Sequence, residues 1–466
     1  MNCLFIIAKH TFMKRNTPAG SFKKRIVLLT TALVAGYASL GHAQEVITIQ
    51  QAIDKTLNNN LQVKQSKLSE SLSDENLKQS KLALYPSLNT GVSQNMSWGR
   101  SQSASGLYEN NQRYTMSASL SSGVDVFSGF SKVNQIRQNK LLLDAGKAST
   151  EKVKNDLILQ VVTSYLQILY NKDLLKAAEE QLTVARQQLN QQQQLLDEGT
   201  KTLADLSLAK STTATAELNV TNAANALSIS YLTLAQLMDI PSSTVYEVQL
   251  PSINSFTNPS TAVDAEKIFS DAINTFPDIK LAALNTSAAK VGVSVAKGNL
   301  YPRLSLNGSY GSSYFYNYNS ILPSQSLREQ FKNNLGKGVG LSLQIPIFNG
   351  LQARSSVTRA KINLMQTETQ EQLAKNNLNK IIYQAVADLK AADARYESTK
   401  NAFAAQKDAY YVVEVRYNEG LANSVDFSTA QTNRNKAEID MIQAKYDLLF
   451  RAKVIDYYLG KQITFN

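Results

Sequence analysis

The sequence predicts a mainly α-helical protein with a β-sheet part, built from one structural unit that occurs twice. Three observations predict this fold. Similar phrases recur at offsets of 216 and 221 positions. Two long tracts without proline carry apolar residues every seven positions, and between the helical tracts the apolar period falls to two. A spacing of seven is typical of coiled-coil helices, and alternation is typical of β-strands.

The first 43 residues have the features of a secretory signal peptide. Basic residues end at Arg25, an apolar run extends from Ile26 to Leu40, and small residues follow it. The alternative is a membrane anchor, but the run is shorter than the ~20 residues of a spanning helix. We therefore expect residues 1–43 to be removed by cleavage before Gln44.

Removal of this segment leaves a chain without cysteine or histidine, because Cys3, His10 and His42 all lie within it. Disulfides, thiolate or imidazole catalysis and ordinary zinc sites are then excluded. Six of the 48 basic residues lie there too, which leaves 42 bases against 37 acids, or a net charge of +5. This charge is too small to indicate nucleic acid. We predict no enzyme activity, no cofactor and no metal site.

The remaining chain divides into two repeats. Leu84-Tyr-Pro recurs as Leu300-Tyr-Pro at an offset of 216, and Phe127 recurs as Phe348 at an offset of 221. A duplication of this length indicates a repeated domain rather than a solenoid. The first repeat is predicted at 44–250, with helices at 49–84, a β-hairpin at 86–127 and a helical hairpin at 130–240. The second is predicted at 251–466, with helices at 262–300, a β-hairpin at 302–348 and a helical hairpin at 351–459.

The helical hairpins should each contain one unusually long helix. Residues 131–240 and 347–466 lack proline, which is excluded from helix interiors. A helix from Lys132 to Leu196 would be ~100 Å long; the alternative is two ordinary helices in a bundle. Gly199 and Gly420 are expected to end the long helices in the left-handed conformation. The heptad series are Val161, Ile168, Leu175, Leu182, Leu189 and Leu196, and Ile382, Leu389, Tyr396, Phe403, Tyr410 and Tyr417.

The β-hairpins should have one apolar face and one face of Ser, Asn and Gly, with aromatic residues toward the loops. A soluble sandwich also alternates, but small polar residues suit a wet lumen and terminal aromatics suit a membrane girdle. We predict outer-membrane strands. Four strands cannot close a membrane barrel, so two or three copies must share one. The last predicted strand ends with Val339, Leu341, Leu343, Ile345 and Ile347.

The combination resembles the TolC family of outer-membrane efflux channels over nearly the whole mature chain. The resemblance rests on ITIQQAIDKTLNNN from Ile47, on the Tyr-Pro turns, on VDVFSG and IPIFNG, and on the segments LLDEGTKTLADL and RYNEGLANSVDF. It implies a homotrimer with a 12-stranded barrel in the outer membrane and a helical tunnel across the periplasm. It also implies a periplasmic adaptor, an inner-membrane pump and no chemistry by the chain itself.

The phrases VDVFSG and IPIFNG are then expected where a strand leaves the barrel and a long helix begins. Phe127 and Phe348 would pack at this turn. Gly129 and Gly350 would supply a permissive backbone.

The resemblance assigns candidate site residues to the loops that follow the long helices. Asp205 and Asp426 match positions where such channels place acids near the periplasmic constriction, although both also suit a first helical turn. Tyr417 matches a gate tyrosine of the family, whereas its gate arginine falls on Ala422 and a second gate acid on Thr429. The family's locking network is therefore not preserved as such. The candidates for adaptor contact are Gly199, Thr200, Leu203, Gly420, Leu421 and Val425.

Three functions remain open from the sequence. The first is the exit duct of an efflux system that conducts small molecules. The second is the outer-membrane duct of a type I protein secretion system, which has the same fold. The third is a periplasmic coiled-coil scaffold without a pore.

Overall fold

A computed structural model describes residues 45–102, 106–250, 264–318, 323–461 and 463. The predicted signal peptide lies outside these residues. The described part is mainly helical with one larger β-sheet, as predicted. Among the described helices, none combines the length and the apolar character needed to cross a membrane.

Apart from two three-residue strands in the first half and one short helix in the second, the elements follow the same order in the two halves. The first half contains β1 (Glu45–Ile47), α1 (Ile49–Asn59), α2 (Leu61–Leu82), β2 (Ser87–Gln102), β3 (Tyr108–Ser128), α3 (Ser131–Asp197), α4 (Leu203–Met238) and β4 (Tyr246–Val248). The second contains α5 (Ala265–Thr275), α6 (Pro277–Gly298), β5 (Arg303–Asn317), α7 (Leu327–Asn333), β6 (Gly336–Gln344), α8 (Gln352–Asn418) and α9 (Ser424–Tyr458).

Strands β1 and β4 form a small unit of their own. They pair in parallel, with Glu45 opposite Tyr246 and Ile47 opposite Val248. The N–H of Gln249 extends the ladder by donating to the carbonyl oxygen of Ile47 over 3.1 Å. All other elements belong to the second unit.

The long helices α3 and α8 are each a single helix of 67 residues. The alternative of two ordinary helices is therefore wrong. Val161 and Ile168, and their counterparts Ile382 and Leu389, are fully buried, so the heptad spacing does mark the packed side. Both helices end at a glycine in the left-handed region, with φ of 75° at Gly199 and at Gly420.

The shorter helices stack end to end beside the long ones, as predicted from their summed lengths. At the junction of α4 with α2, the side-chain amide of Asn60 donates to the carbonyl oxygen of Leu237 over 2.9 Å. At the junction of α9 with α6, the ring of Phe276 stacks on that of Tyr458 at 5.4 Å. The first junction gives a hydrogen-bond donor to a carbonyl group in the last turn of α4, and the second packs an aromatic ring against the last turn of α9.

The sheet is antiparallel with strand order β2-β3-β5-β6. Its register places most of the large apolar residues of the four strands on one face, whereas Phe315 lies on the other face, opposite Thr115. The apolar face carries Leu88, Val92, Met96, Trp98, Tyr114, Met116, Leu120, Val124, Leu306, Tyr310, Tyr314, Tyr316, Val339, Leu341 and Leu343. The opposite face is rich in Ser, Asn and Gly, which agrees with the predicted alternation.

The two strand-to-helix junctions differ, which corrects part of the prediction. Phe127 packs edge-on against Phe130 with ring centroids 5.4 Å apart. Strand β6, however, ends at Gln344, so Ile345 and Ile347 lie beyond it, and Phe348 is 81% exposed instead of packed. In this single chain, residues 345–348 lack the strand partner that β3 has in β5. The permissive backbone is confirmed, with φ of 60° at Gly129 and 61° at Gly350.

The sequence did not predict helix α7, which interrupts the second hairpin. A capping box between Ser326 and Glu329 starts it. Its Gln330 is 4% exposed and bonds the backbone of Phe315 twice, accepting from the N–H over 3.0 Å and donating to the carbonyl over 2.9 Å. Because β6 pairs with β5 only as far as Gly311, Gln330 replaces the missing strand partner.

Replacing Gln330 with Ala should expose the upper edge of β5. A buried backbone group left without a partner costs about 1–3 kcal/mol, so local opening at Phe315 should become at least about fivefold more frequent. Hydrogen exchange at the amide of Phe315 measures this opening. Lys332→Ala, on the same short helix, is the control and should leave the exchange rate unchanged.

Candidate functional site at the helical tips

The two loops that follow the long helices form the candidate site. Residues 198–202 join α3 to α4, and residues 419–423 join α8 to α9. The predicted adaptor-contact residues are all solvent-exposed here: Gly199, Thr200, Leu203, Gly420, Leu421 and Val425. Three of them, Leu203, Leu421 and Val425, are large apolar side chains that are exposed to solvent. They follow Gly199 or Gly420, which begins each turn in the left-handed conformation.

Asp205 caps the start of α4. Its carboxylate accepts from the N–H of Thr202 over 3.1 Å and from the Thr202 hydroxyl over 2.7 Å. The Asp205 N–H donates in return to the Thr202 hydroxyl oxygen over 3.3 Å. This reciprocal arrangement satisfies two free N–H groups of the helix start. The first-turn interpretation of Asp205 is therefore correct, and it leaves the other carboxylate oxygen free for a second partner.

That second partner comes from the other half of the chain. The hydroxyl of Ser424, in the first turn of α9, donates to Asp205 over 2.6 Å. Hydrogen bonds to a charged acceptor are short and stronger than neutral ones. The bond links the tip of the first helical hairpin directly to the tip of the second.

Asp426 differs from Asp205 although the two are equivalent by the repeat. It is exposed, and its N–H donates to the side-chain oxygen of the cap residue Asn423 over 2.8 Å. Its position in the first turn of α9 agrees with a favourable helix dipole. The two acids thus have different surroundings, which the sequence comparison alone did not predict.

Tyr417 lies inside the contact between the tips and is 8% exposed. Its ring stacks on Phe427 with centroids 4.6 Å apart. The ammonium group of Lys201 lies 5.1 Å from the ring centroid, within the range of a cation–π contact. Burial, followed by the nearby charge of Asp205, raises the pKa of Tyr417, so its hydroxyl stays neutral at physiological pH.

Sequence reasoning missed Ser424 and Lys201. Lys201 is the repeat equivalent of Ala422, the position to which the resemblance assigns the family's gate arginine. A cation is therefore present at the tip, but it comes from the first half of the chain. Comparing the halves at the offset of 221 would have found Lys201, whereas the Ser424 bond depends on how the two tips pack.

The link through Asp205 should weaken in acid. Hydrogen bonds from Ser424 and then Thr202 lower the pKa of Asp205 below its ordinary value. The stability that this carboxylate contributes is therefore fully present above about pH 4 and is lost as the pH falls through the lower folded pKa. The distance between the two tips, measured between spin labels at Thr200 and Leu421, should rise in this window as the pH is lowered from neutral. Asp205→Asn cannot titrate and should lack this component of the rise; an identical acid response in both proteins would contradict the assignment.

Comparison with known proteins agrees with this architecture. The chain resembles TolC of Escherichia coli, with 23% identity over 94% of this chain and 86% of the relative. It resembles the outer membrane efflux protein BepC of Brucella suis, with 22% identity over 91% of this chain and 86% of that protein.

Solved structures have the same fold. The CmeC outer membrane channel of Campylobacter jejuni superposes with a TM-score of 0.75 at 18% identity, covering 88% of this chain and 85% of that one. The outer membrane protein VceC of Vibrio cholerae gives a TM-score of 0.72 at 17% identity, covering 89% and 96%. The family model described as "Outer membrane efflux protein" matches residues 52–239 and 268–461. The chain therefore belongs to the outer membrane efflux protein family, a family of channel proteins located in the outer membrane and extending into the periplasm.

Proposed function

We propose that this chain is the passive exit duct of a tripartite efflux system. As a homotrimer it would conduct small molecules across the outer membrane, after a periplasmic adaptor and an inner-membrane pump deliver them. The chain itself carries out no chemistry in this role. Its two structural repeats, 44–250 and 251–466, would each supply two strands and one helical tip.

The four-stranded sheet is the observation that carries this proposal. Its apolar face suits lipid, and its small polar face suits a water-filled lumen. Eight strands is the lower limit for a membrane barrel, and lipid does not tolerate open strand edges. Two copies would supply eight strands and three would supply twelve. Membership of the family favours three.

The exposed tips support a contact with the adaptor. Leu203, Leu421 and Val425 stay exposed at the same end of the two helical hairpins. Clustered exposed apolar side chains mark interaction sites more often than chance. We therefore propose that these three residues, with Gly199, Thr200 and Gly420, contact the adaptor.

Asp205 and Asp426 are proposed to line the periplasmic constriction together with Tyr417. Three copies would bring six carboxylates to the opening, which favours cations. Asp426 is the more exposed of the pair and should dominate selectivity. Asp426→Asn should reduce the cation preference, measured as a reversal potential in a salt gradient. An unchanged reversal potential in the double variant Asp205→Asn, Asp426→Asn would contradict the assignment.

Planar-bilayer recording tests the proposed function. The purified mature protein should produce discrete steps of conductance that persist when a voltage is applied. These steps should need neither a nucleotide nor an ion gradient as an energy source. A strain that lacks the protein should accumulate small efflux dyes and should recover on complementation. Absence of conductance would favour the scaffold without a pore. Normal dye efflux combined with a defect in protein export would favour the secretion duct.

A further inference from the structure

We infer that β6 of one copy pairs with β2 of the next copy in one fixed antiparallel register, with Gln344 opposite Gly91 and Gly336 opposite Gly99. The inference rests on the proposed function only in that several copies share one sheet. Beyond the proposed function, it identifies the residues that pair across the boundary between two copies.

Strands β2 and β6 are the two edges of the sheet. Among the described residues, β2 pairs only with β3 in this sheet, and β6 pairs only with β5. Neighbouring strands alternate in direction across the order β2-β3-β5-β6, so β6 of one copy placed beside β2 of another is again antiparallel. The apolar faces of both strands then point to the same side.

The two hairpins pair their strands in equivalent registers. Strand β2 pairs Ser87 with Gly123 of β3. Adding the offset of 216 to 87 gives 303, and adding 221 to 123 gives 344. The second hairpin pairs Arg303 with Gln344, as these offsets require. At the far end of that ladder, Asn95 with Thr115 becomes Gly311 with Gly336, which is also observed.

The pairing of β3 with β5, which joins the two hairpins of one copy, predicts the register between neighbouring copies. Strand β3 pairs with β5 through Gly123 opposite Asn307 and Thr115 opposite Phe315. If every hairpin contact in the closed barrel is equivalent, β3 maps onto β6 by adding 221, and β5 maps onto β2 of the next copy by subtracting 216. Gly123 with Asn307 then becomes Gln344 with Gly91, and Thr115 with Phe315 becomes Gly336 with Gly99.

This register is chemically consistent. On the apolar face it places Leu343 opposite Val92 and Val339 opposite Met96. It also places Lys337, whose ammonium group lies 5.8 Å from the ring centroid of Tyr310, opposite the exposed indole of Trp98, which could add a second cation–π contact. A slip by one residue would reverse the faces of the two strands and place apolar side chains in the lumen.

The register also explains the exposed segment after β6. Its first-half equivalents lie in β3, where Val124 pairs with Leu306 and Phe127 with Leu304 across a bulge. In the single chain Ile345, Ile347 and Phe348 are 58%, 95% and 81% exposed. The same mapping places Ile345 opposite Thr90 and Phe348 opposite Leu88 of the next copy. Pro346, the equivalent of Asp125, then falls next to the bulge, where a strand tolerates a missing N–H. These residues should become strand only on assembly.

Disulfide crosslinking tests the register, because the chain without residues 1–43 contains no cysteine. Residues directly opposite in an antiparallel pair have Cα atoms about 4.5–5.5 Å apart, within disulfide reach. Within one copy, β2 and β6 are three strand spacings apart, about 14 Å, so a bond inside one chain is excluded. The predicted pairs are Ser93→Cys with Ser342→Cys on the polar face and Gln94→Cys with Leu341→Cys on the apolar face.

The matched control shifts one cysteine by two residues on the same face, as in Asn95→Cys with Ser342→Cys. At this shift the Cα atoms are about 7–8 Å apart, which is beyond the reach of a disulfide. On oxidation, at least one predicted pair should run as a covalent trimer under denaturing, non-reducing conditions, and the shifted pair should run as monomer. Native mass measurement of each variant under reducing conditions verifies that it assembles.

The outcomes separate the register from the function. A trimer that crosslinks through the shifted pair, or through no tested pair, would overturn the register and leave the duct intact. A wild-type protein that is monomeric in detergent would overturn the proposed function and the register together.

Discussion

Replacement of Asp205 with Ala is expected to raise the open probability of the channel about fivefold. The carboxylate holds the two helical tips of one chain together through the hydroxyl of Ser424, at 2.6 Å. A hydrogen bond to a charged group contributes about 1.5–3 kcal/mol when it is sheltered. Asp205 is only half-buried, so competition from water leaves about 1 kcal/mol, which corresponds to this factor. Single-channel recording at neutral pH measures the open probability.

Two further variants separate the link from other effects of the substitution. Asp205→Ala also removes the cap on α4, whereas Ser424→Ala removes only the link between tips. Ser424→Ala alone should therefore give a similar rise, and the double variant should add little to it. Asp426→Ala, at the equivalent exposed position, should leave the open probability unchanged. An equal rise in Asp426→Ala would mean that charge, not the link, controls opening.

Leu389→Ala is expected to destabilise the protein by about 2–5 kcal/mol. Leu389 is fully buried in α8 and belongs to an apolar cluster with Ile382, Ile268 and Ile455. The cluster also contains Ile279 of α6 and so brings α5, α6, α8 and α9 together, which means that a cavity there weakens contacts of four helices. The urea midpoint for loss of helical circular dichroism in detergent should fall clearly.

The neighbouring residue supplies the control for this substitution. Lys390→Ala lies one position further along the same helix and is exposed, so its effect should stay within about 0.5 kcal/mol. Since alanine is a good helix former at both positions, propensity does not separate the two variants. Equal midpoints for Leu389→Ala and Lys390→Ala would show that the seven-residue spacing does not mark the packed side of α8.

The helical part of the fold could be predicted from the sequence because its signals are local. The absence of proline and the spacing of Val161, Ile168, Ile382 and Leu389 determine long helices without reference to the rest of the chain. The glycine that ends each long helix is likewise a local signal. The strands could also be predicted, because apolar and polar residues alternate along them and one face of the sheet is apolar while the other is not.

The features that sequence reasoning missed depend on partners distant in the chain. Helix α7 has only seven residues, and Gln330 holds it by bonding the edge of β5. The alternation continues through Ile347, yet β6 ends at Gln344, because the residues beyond Gln344 have no strand partner in the single chain. At the tips, the hydrogen bond from Ser424 to Asp205 joins two residues that are 219 positions apart, one from each half of the chain.

Native mass measurement of the mature protein in detergent most directly tests whether one copy provides too few strands and must share its sheet with others. A single complex of three chains, stable until the detergent micelle is stripped away, is the predicted result. A monodisperse single chain with β2 and β6 protected from hydrogen exchange along both edges would contradict the account.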